Sequence, residues 1–315
     1  MNMKSLKPLI VILGPTASGK TGLALALAKE FGGELLSADS RQIYKEMDIA
    51  TNKLDSATTT EKTAIGKKLY FIDGTPIHLL DLIDPDESFS LADYKKVALK
   101  KIEEIYSKGK LPILVGGTGL YLSAIVDNLN IPKAPADEKL RAKLEEKDAE
   151  ELFDALAKID PTSAETIGPQ NKRKLIRALE VYKITGQPFS SQQKKGKPLF
   201  NTLQIGIRIE RQELHNRIDK RVDRMIKGGL VQETQFLRKK YAIELPAMSG
   251  IGYKEIGAYL DGEMGLEEAT QQIKFHTHQY ARRQITWFNR DKSINWVEDY
   301  TEAEKLVKNF TAIEV

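Results

Sequence analysis

Residues 14–21 read GPTASGKT and lie between an apolar run at 9–13 and a stretch rich in alanine and leucine. A strand, a glycine-rich loop and a helix in this order form a phosphate-binding loop with the pattern G-x-x-x-x-G-K-[ST], in which backbone N–H groups and the helix N-terminus face an anion. Lys20 is expected to reach the terminal phosphates, and Thr21 to ligate Mg²⁺. The predicted phosphate-binding residues are Gly14, Pro15, Thr16, Ala17, Ser18, Gly19, Lys20 and Thr21.

Further apolar segments alternate with segments of helical periodicity along the chain. Strands are predicted at 9–13, 34–37, 111–115, 203–209 and 294–297, and helices at 21–31, 211–228, 230–241 and 266–289. Strands that alternate with helices favour a parallel sheet with helices on both faces. The predicted fold class is therefore α/β: a P-loop NTPase-like core with a parallel sheet flanked by helices.

The character of the chain changes at Pro132 and Pro135. After these prolines, residues 137–158 and 171–185 combine helical periodicity with dense surface charge. We predict an all-helical insertion domain over residues 132–199. It interrupts a core that is made of residues 1–131 and 200–315.

The composition limits where such a protein works. Hydrophobic residues make up 41% of the 315, and no apolar run approaches the ~18 to 20 residues that a membrane span requires. The absence of cysteine excludes disulfides and thiolate metal sites. The segment from Met1 to Pro8 lacks the apolar centre of a signal peptide. We therefore expect a cytoplasmic protein that has no membrane partner. We also expect a monomer, although the sequence leaves the oligomeric state open.

The net charge of +4 is too small to indicate a polyanionic partner by itself. The basic residues are nevertheless concentrated in four places, at 172–177, 192–197, 217–224 and 282–292. Such clusters can follow the phosphates of a nucleic acid, although a charged helical run is more commonly a solvated face. Charge alone leaves the partner open.

The chemistry that the phosphate-binding loop serves is also open at this point. An NTPase needs an acidic residue after a second core strand, and Asp39 follows the strand predicted at 34–37. The strand at 111–115, however, ends in Gly-Gly-Thr without a carboxylate. A site that binds diphosphate as a leaving group needs the same phosphate cradle. A small-molecule kinase, an RNA-binding ATPase and a diphosphate-dependent transferase all remain compatible with the sequence.

Five motifs make the choice more specific. They read GPTASGKT at 14–21, SADSRQIY at 37–44 with MDIAT at 47–51, GGTGLY at 116–121, IGYKE at 251–255 and RRQITWF at 282–288. With these motifs in this order and with suitable gaps, the chain resembles the bacterial tRNA dimethylallyltransferases over nearly its whole length.

The resemblance implies transfer of a dimethylallyl group from dimethylallyl diphosphate to N6 of the adenosine immediately 3′ of the anticodon, with Mg²⁺ as cofactor. The tRNAs would be those that read codons beginning with U, and the products N6-(dimethylallyl)adenosine and diphosphate. The adenine would have to leave its stack in the anticodon loop. Prenylation of free AMP is a related possibility, but the insertion and the basic helices favour a macromolecular acceptor.

The resemblance assigns catalytic positions to Lys20, Asp39 and Thr118. Lys20 would stabilise the departing diphosphate. An adenine amine is a poor nucleophile because its lone pair is delocalised, so a carboxylate at Asp39 that accepts its proton would help. Thr118 would contact the acceptor nucleotide or Asp39. In the alternative interpretation, Asp39 only ligates Mg²⁺ or caps a helix, and Thr118 caps the helix that begins near Leu120.

The resemblance also implies contacts with the anticodon stem-loop from several stretches of the chain. The residues are Asp39, Ser40, Arg41, Gln42, Thr118, Arg141, Gln170, Asn171, Lys172, Arg173, Lys174, Ser249, Gly250, Ile251, Gly252, Tyr253, Lys254, Arg282, Arg283, Gln284 and Thr286. The contacts from 141 and 170–174 would come from the insertion. The other residues belong to the core.

In the long helix predicted near the C-terminus, Ile273, Tyr280 and Trp287 recur every seven positions. We expect these three side chains to pack on the core, which leaves the arginines of the RRQITWF motif free to meet RNA. His278 and Asn289 stand where basic residues are expected in relatives, so a contact from either position is in doubt.

Three arginines lie at the end of the strand predicted at 203–209 or in the helix after it. Arg217 and Arg221, with Arg208 before them, could clamp a diphosphate across from the phosphate-binding loop. An ordinary amphipathic helix would show the same pattern. The four histidines of the chain have no zinc-binding spacing.

Overall fold

The computed structural model describes residues 6–53, 58–62, 68–192 and 194–312. The start of the segment from Met1 to Pro8, and Gln193 of the basic run at 192–197, lie outside the described residues. The strands are β1 (Pro8–Leu13), β2 (Gly33–Ser37), β3 (Thr58–Lys62), β4 (Lys68–Ile72), β5 (Thr75–His78), β6 (Leu111–Gly116), β7 (Asn201–Ile207) and β8 (Asn295–Val297). The helices are α1 (Lys20–Phe31), α2 (Leu91–Ser107), α3 (Gly119–Val126), α4 (Glu138–Glu145), α5 (Ala149–Ile159), α6 (Pro161–Ile167), α7 (Lys172–Thr185), α8 (Phe189–Gln192), α9 (Arg211–Lys227), α10 (Leu230–Lys240), α11 (Tyr253–Leu260), α12 (Leu266–Phe288) and α13 (Tyr300–Ala312).

The described strands form one sheet in the order β3-β4-β5-β2-β6-β1-β7-β8. Neighbouring strands from β5 to β8 run parallel, and β4 pairs antiparallel with both β3 and β5. Ile10 of β1 lies opposite Ile113 of β6, and Leu35 of β2 lies opposite the same residue. The carboxyl ends of β1, β2 and β6 therefore meet at one edge of the sheet. The predicted α/β core with a mostly parallel sheet is confirmed.

The predicted strands and helices of the core lie close to their observed bounds. The first helix ends where Gly32 adopts a left-handed conformation, with φ of 63°, as its position after the apolar stretch predicted. The strand predicted at 203–209 ends at Ile207 and begins at Asn201. The strands β3, β4 and β5 were not predicted. Asp73 and Gly74 join β4 to β5 with φ of 49° and 76°, the combination that a two-residue type I′ hairpin requires.

Apolar residues of β1, β2 and β6 form the centre of the core. Ile10, Leu35 and Ile113 are fully buried and pack in one cluster with Leu27 of α1 and Val307 of α13. Burial of this kind stabilises the fold by roughly 25 cal/mol per Å² of apolar surface. The packing fixes α1, and with it the loop that precedes α1, against the sheet.

A second cluster joins the helices that follow β7. Leu214 and Ile218 of α9, Leu237 of α10, Ile256 of α11 and Ile273 of α12 are all buried in it.

No helix among the described residues is both long enough and apolar enough to cross a membrane.

The chain divides into two compact units by its contacts. One comprises Met1–Ile125 with Leu199–Val315, and the other comprises Val126–Pro198. The insertion was predicted to begin at 132 and end at 199. Within the second unit, the helices α4 to α7 bury Leu144, Leu152, Leu156 and Leu175 in a core of their own.

Candidate active site

The phosphate-binding loop connects β1 to α1, as predicted. Gly19 stands at the N-cap of α1 with φ of 95°, a conformation that is available to glycine at little cost. Lys20 donates a hydrogen bond from Nζ to the carbonyl of Pro15 at 2.6 Å. Burial lowers the pKa of Lys20 to about 8, against the opposing effect of the Asp39 carboxylate. Thr21 is exposed at the start of the helix.

Ser18 adds an unusual feature to this loop. Its side chain is only 3% exposed, and its Oγ is a buried polar atom without a hydrogen-bond partner in the part of the chain that the structure describes. A buried hydroxyl without a partner is costly. An anion held in the loop would supply the missing acceptor.

The carboxylate of Asp39 lies just beyond the end of β2. Its Oδ1 accepts a hydrogen bond from the backbone N–H of Arg41 at 2.8 Å, which fixes the turn at this strand end. The Asp39 charge also acts on Lys20 and on Arg221, raising the pKa of both against the effect of burial. One anionic group therefore faces two cations of the same site.

The glycine-rich turn, residues 116–119, lies at the end of β6. The backbone N–H of Thr118 donates to the carbonyl of Ala38 at 3.2 Å, and its Oγ1 accepts from the backbone N–H of Ser40 at 3.1 Å. Both neighbours of Asp39 are thus bonded to Thr118, so these two predicted site residues lie side by side. Thr118 also precedes the first residue of α3, but its hydroxyl is bonded to the neighbouring loop.

Helix α12 covers this turn with the side chain of Gln284. Gln284 was predicted to contact RNA, yet it is only 6% exposed. Its Oε1 accepts from the backbone N–H of Thr16 at 2.8 Å, and its Nε2 donates to the carbonyl of Gly117 at 2.9 Å. The amide is thus bonded inside the protein, and an RNA contact from Gln284 stays a prediction.

Trp287 differs from its predicted position in the opposite sense to Gln284, since it is more exposed than predicted. It was predicted to pack on the core, but it is 41% exposed, and that prediction is wrong. An added Cβ at Gly119 would lie only 2.2 Å from Nε1 of Trp287, so the indole fits against the turn because position 119 has no side chain. Its exposed part lines a surface cavity of about 260 Å³ with Arg282, Arg283, Thr286 and Arg290.

Tyr280 is half-buried on the same helix, and Ile273 is buried as predicted. Burial and the nearby charge of Asp39 raise the pKa of Tyr280 to about 12, while a side-chain interaction with Thr118 opposes the rise. Tyr280 therefore packs partly in the interior and also lies close enough to Asp39 to feel its charge.

Helix α9 brings arginine to the phosphate-binding loop. Arg221 donates from Nη1 to Oγ1 of Thr16 at 2.9 Å, and burial lowers its pKa. Nη1 of Arg217 is 3.8 Å from the place that a Cβ on Gly19 would occupy. Arg208 is exposed and instead lies 3.8 Å from the Glu298 carboxylate. The geometry brings Arg217 and Arg221 to the loop and leaves Arg208 outside.

The loop after Asp39 is held by its own side chains. Arg41 donates to the carbonyl of Pro246 at 2.8 Å. Gln42 accepts from Oγ of Ser37 at 2.7 Å and donates to the carbonyl of Thr51 at 3.3 Å. RNA contacts from Ser40, Arg41 and Gln42 stay predictions.

The segment 249–254 divides between the surface and the interior. Ser249 and Lys254 are exposed, whereas Gly250 and Gly252 are buried. Tyr253 is 2% exposed, and its hydroxyl donates to Oε1 of Glu233 at 2.7 Å. The hydroxyl of Tyr253 thus makes an internal hydrogen bond, and an RNA contact from this residue stays a prediction.

His278 and Asn289, the two positions that depart from the expected pattern, have different surroundings. The ring of His278 stacks on that of His215 at 4.3 Å between centroids, and its Nε2 lies 2.9 Å from Oδ1 of Asp219. Burial lowers the pKa of His215. Asn289 is exposed at the C-terminal end of α12.

The second unit presents its predicted RNA contacts at the start of α7 and on α4. Gln170, Arg173 and Lys174 are exposed, Asn171 caps α7, and Lys172 donates to the carbonyl of Glu145 at 2.6 Å. Arg141 binds the buried carboxylate of Glu180 through Nε at 2.8 Å and Nη2 at 3.1 Å. Although burial disfavours its charge, these hydrogen bonds hold the pKa of Glu180 below its ordinary value.

The described residues contain no group of three or more histidine, cysteine, aspartate or glutamate side chains that could hold a metal ion by themselves. Mg²⁺ differs from most metals because it commonly binds through one or two protein oxygens, substrate phosphates and water. The Thr21 hydroxyl and the Asp39 carboxylate are oxygen donors of the right chemistry beside a phosphate-binding loop. The residues present therefore fit such an ion.

The fold and this geometry define a P-loop protein in which a phosphate-binding loop adjoins a carboxylate and a basic helical wall. The IPP transferase family model matches residues 42–291, and the chain belongs to this family. It is 46% identical to the tRNA dimethylallyltransferase of Acetivibrio thermocellus, over 95% of each chain, and 42% identical to that of Pelotomaculum thermopropionicum, over 96% of this chain and 95% of the relative.

Solved structures agree with this assignment. The tRNA isopentenylpyrophosphate transferase of Bacillus halodurans matches with a TM-score of 0.69 and 40% identity, covering 98% of this chain and 96% of the other. A eukaryotic dimethylallyltransferase described as acting on tRNA matches with a TM-score of 0.76 and 29% identity, covering 97% of this chain and 77% of the other.

Proposed function

We propose that this protein transfers a dimethylallyl group from dimethylallyl diphosphate to N6 of the adenosine immediately 3′ of the anticodon in tRNA. The observation that carries the proposal is the position of Asp39, which is bracketed by hydrogen bonds to Thr118 and interacts electrostatically with Lys20. A proton acceptor thus adjoins a phosphate cradle. The names of the closely similar relatives support the same reaction.

The donor end of the site uses the phosphate-binding loop. Lys20, the loop N–H groups and the Ser18 hydroxyl bind the diphosphate, and Arg217 and Arg221 approach it from α9. As the allylic C–O bond breaks, its electron pair leaves with the diphosphate, where negative charge grows on oxygens that these groups face. Mg²⁺, held by Thr21 together with the phosphates, would add positive charge at the same oxygens.

The acceptor end uses the strand end of β2 and the glycine-rich turn. The N6 lone pair forms a bond to the allylic carbon, and the proton that N6 loses passes to the Asp39 carboxylate. Thr118 orients the acceptor nucleotide, and Tyr280 limits the space around Asp39. The adenine must leave its stack to reach this position, a smaller cost in a loop than in a duplex.

The RNA itself meets the basic surface of α12 and the exposed residues of the second unit. Arg282, Arg283 and Arg290 surround a cavity whose wall includes the exposed indole of Trp287. Guanidinium groups bind phosphates, and aromatic faces stack on unpaired bases. We further propose that the protein acts as a monomer in the cytoplasm, on tRNAs that read codons beginning with U.

The test is to incubate the protein with Mg²⁺, labelled dimethylallyl diphosphate and an unmodified anticodon stem-loop, then digest the RNA and identify the nucleosides by mass. Label on N6 of the adenosine 3′ of the anticodon is the expected result. A matched stem-loop with guanosine at that position should stay unlabelled.

Absence of label, with donor and RNA shown to be intact, would overturn the proposal. Parallel reactions then separate the alternatives. Label on AMP identifies a transferase of free nucleotides, and ATP-dependent phosphorylation of a small acceptor identifies a kinase.

A further inference from the structure

Among the residues that the structure describes, Gln284 is the one whose side chain forms hydrogen bonds with both loops of the site. It reaches the phosphate-binding loop through the N–H of Thr16 and the glycine-rich turn through the carbonyl of Gly117, at 2.8 and 2.9 Å. A primary amide can serve both because it carries an acceptor and a donor on adjacent atoms. No aliphatic or acidic side chain of this length offers that combination.

The surroundings of the amide leave little freedom. Gln284 is 6% exposed, and a Cβ at Gly117 would come within 2.3 Å of its Nε2. The absence of a side chain at position 117 is therefore what lets the amide approach the turn. Thr16 is held from a second side as well, because Arg221 donates to its Oγ1 at 2.9 Å.

The two loops that Gln284 joins have different predicted ligands. Thr16 belongs to the loop that faces the diphosphate of the donor, and Gly117 precedes Thr118, which faces the acceptor nucleotide. The neighbours Arg282, Arg283 and Thr286 are exposed on the same helix. The helix that carries the bridge thus also carries the surface proposed for RNA.

We infer that Gln284 is a positioning residue that couples donor binding to RNA binding, an inference that rests on the proposed function. A ligand that fixes one loop also fixes the other through the amide, so the second ligand binds to a loop that is already ordered and its affinity rises. By linkage, the RNA increases donor affinity by the same factor as the donor increases RNA affinity. The coupling disappears when the bridge is removed.

The experiment measures this factor directly. An unreactive donor, dimethylallyl thiolodiphosphate, is titrated into the protein with and without a saturating anticodon stem-loop, and the ratio of its two dissociation constants is the coupling. For the unaltered protein we expect roughly 5-fold or more, within the usual range for coupled sites. In Gln284→Met, which keeps the length of the side chain but loses both hydrogen bonds, we expect a ratio within about twofold of one.

Gln271→Met is the matched control, because Gln271 is exposed on the same helix and its amide donates to Glu267, one turn earlier on that helix. It should keep the coupling of the unaltered protein. A merely structural role for Gln284 would weaken both affinities and leave their ratio unchanged, so a ratio retained in Gln284→Met overturns the inference. So does a ratio of one in the unaltered protein.

If thermal denaturation shows that Gln284→Met is not folded, Gln284→Asn is used in its place. The shorter amide of asparagine cannot span both loops. The ratio of the two dissociation constants of the donor analogue is then measured for Gln284→Asn and judged in the same way. Failure of the unaltered protein to bind either the stem-loop or the donor analogue would count against the proposed function itself, and is thereby distinguished from loss of coupling in the variants alone.

Discussion

Arg221 of α9 donates a hydrogen bond to Oγ1 of Thr16, inside the phosphate-binding loop, at 2.9 Å. The guanidinium is desolvated there, and its pKa falls below the ordinary value because of burial. A desolvated cation without a bidentate carboxylate partner is destabilising on its own. Its position is readily explained if an anionic ligand supplies the counter-charge.

Replacement of Arg221 by glutamine tests this relationship. Arg221→Gln keeps a polar side chain but carries no charge and is shorter than arginine, so the donor diphosphate loses a charge-assisted interaction worth about 1.5–3 kcal/mol. The KM for dimethylallyl diphosphate should rise by roughly 10- to 150-fold, as measured by initial rates at saturating stem-loop. Lys227→Gln, at the exposed end of the same helix, is the control. A KM for Arg221→Gln equal to that of the control would contradict the clamp.

Asp39 is tested by an isosteric change. Asp39→Asn retains an oxygen that can accept from the N–H of Arg41 but cannot take the N6 proton. Single-turnover rates should fall by about 10² to 10⁴. The affinity for the unreactive donor should be unchanged or higher, since the variant removes a negative charge beside Lys20 and Arg221.

The metal-binding alternative for Asp39 predicts a different result. If the carboxylate served only to hold Mg²⁺, a large excess of Mg²⁺ would restore the rate of Asp39→Asn. We expect no recovery across a Mg²⁺ titration. If Asp39→Asn reacted at nearly the original rate at the ordinary Mg²⁺ concentration, the assignment of Asp39 as the base would be wrong.

The lowered pKa of Lys20 gives a pH dependence. The ammonium is protonated below about 8 and loses its charge above this pH in the free site. The value of kcat/KM for the donor reports the protonation of the free enzyme. It should be level up to about pH 7, fall to roughly half near pH 8 and decline further above it. Lys20→Arg should remove this decline, whatever its plateau, because a guanidinium stays charged. A profile of the unaltered protein that stays level to pH 9.5 would contradict the prediction.

The contribution of Lys20 to stability should increase as the pH rises, whereas its contribution to kcat/KM should decrease. The pKa of Lys20 falls from 10.5 to about 8 on folding, so between these values the unfolded chain binds more protons than the folded one, and this residue's contribution to stability rises with pH. Lys20→Met should therefore be more stable than the unaltered protein below pH 8, with the difference shrinking towards pH 10.5. Urea denaturation at pH 7 and pH 10 compares the two.

Much of the site followed from the sequence because its signals are local. The GPTASGKT loop, the Asp39 strand end and the Gly-Gly-Thr turn each follow an apolar run, and parallel strands bring such ends together. Two further local signals were present but not used. Asp73 and Gly74 mark the hairpin between β4 and β5, and the capping box of Ser90 and Asp93 marks the start of α2.

The packing of Trp287 and Gln284 on α12 could not be predicted from the sequence. A seven-residue spacing drifts by ~20° per heptad on a straight helix, so Trp287 is already rotated by two such steps from Ile273. Its actual neighbour, Gly119, is distant in sequence. The burial of Gln284 could not be read from periodicity either, because its partners are backbone atoms of two loops that only the folded sheet brings together.

The basic surface of α12 gives the last prediction. Arg282 and Arg283 are exposed beside Trp287, and phosphate contacts of exposed cations release counterions when RNA binds. Changing either arginine to glutamine should weaken stem-loop binding at low salt and reduce the slope of log K against log salt by roughly 0.7 to 0.9. Lys308→Gln on α13, where the ammonium pairs with Glu304 at 2.9 Å, should leave the slope unchanged. Binding isotherms at several salt concentrations distinguish these results, and an equal slope in all the variants would place the RNA on another surface.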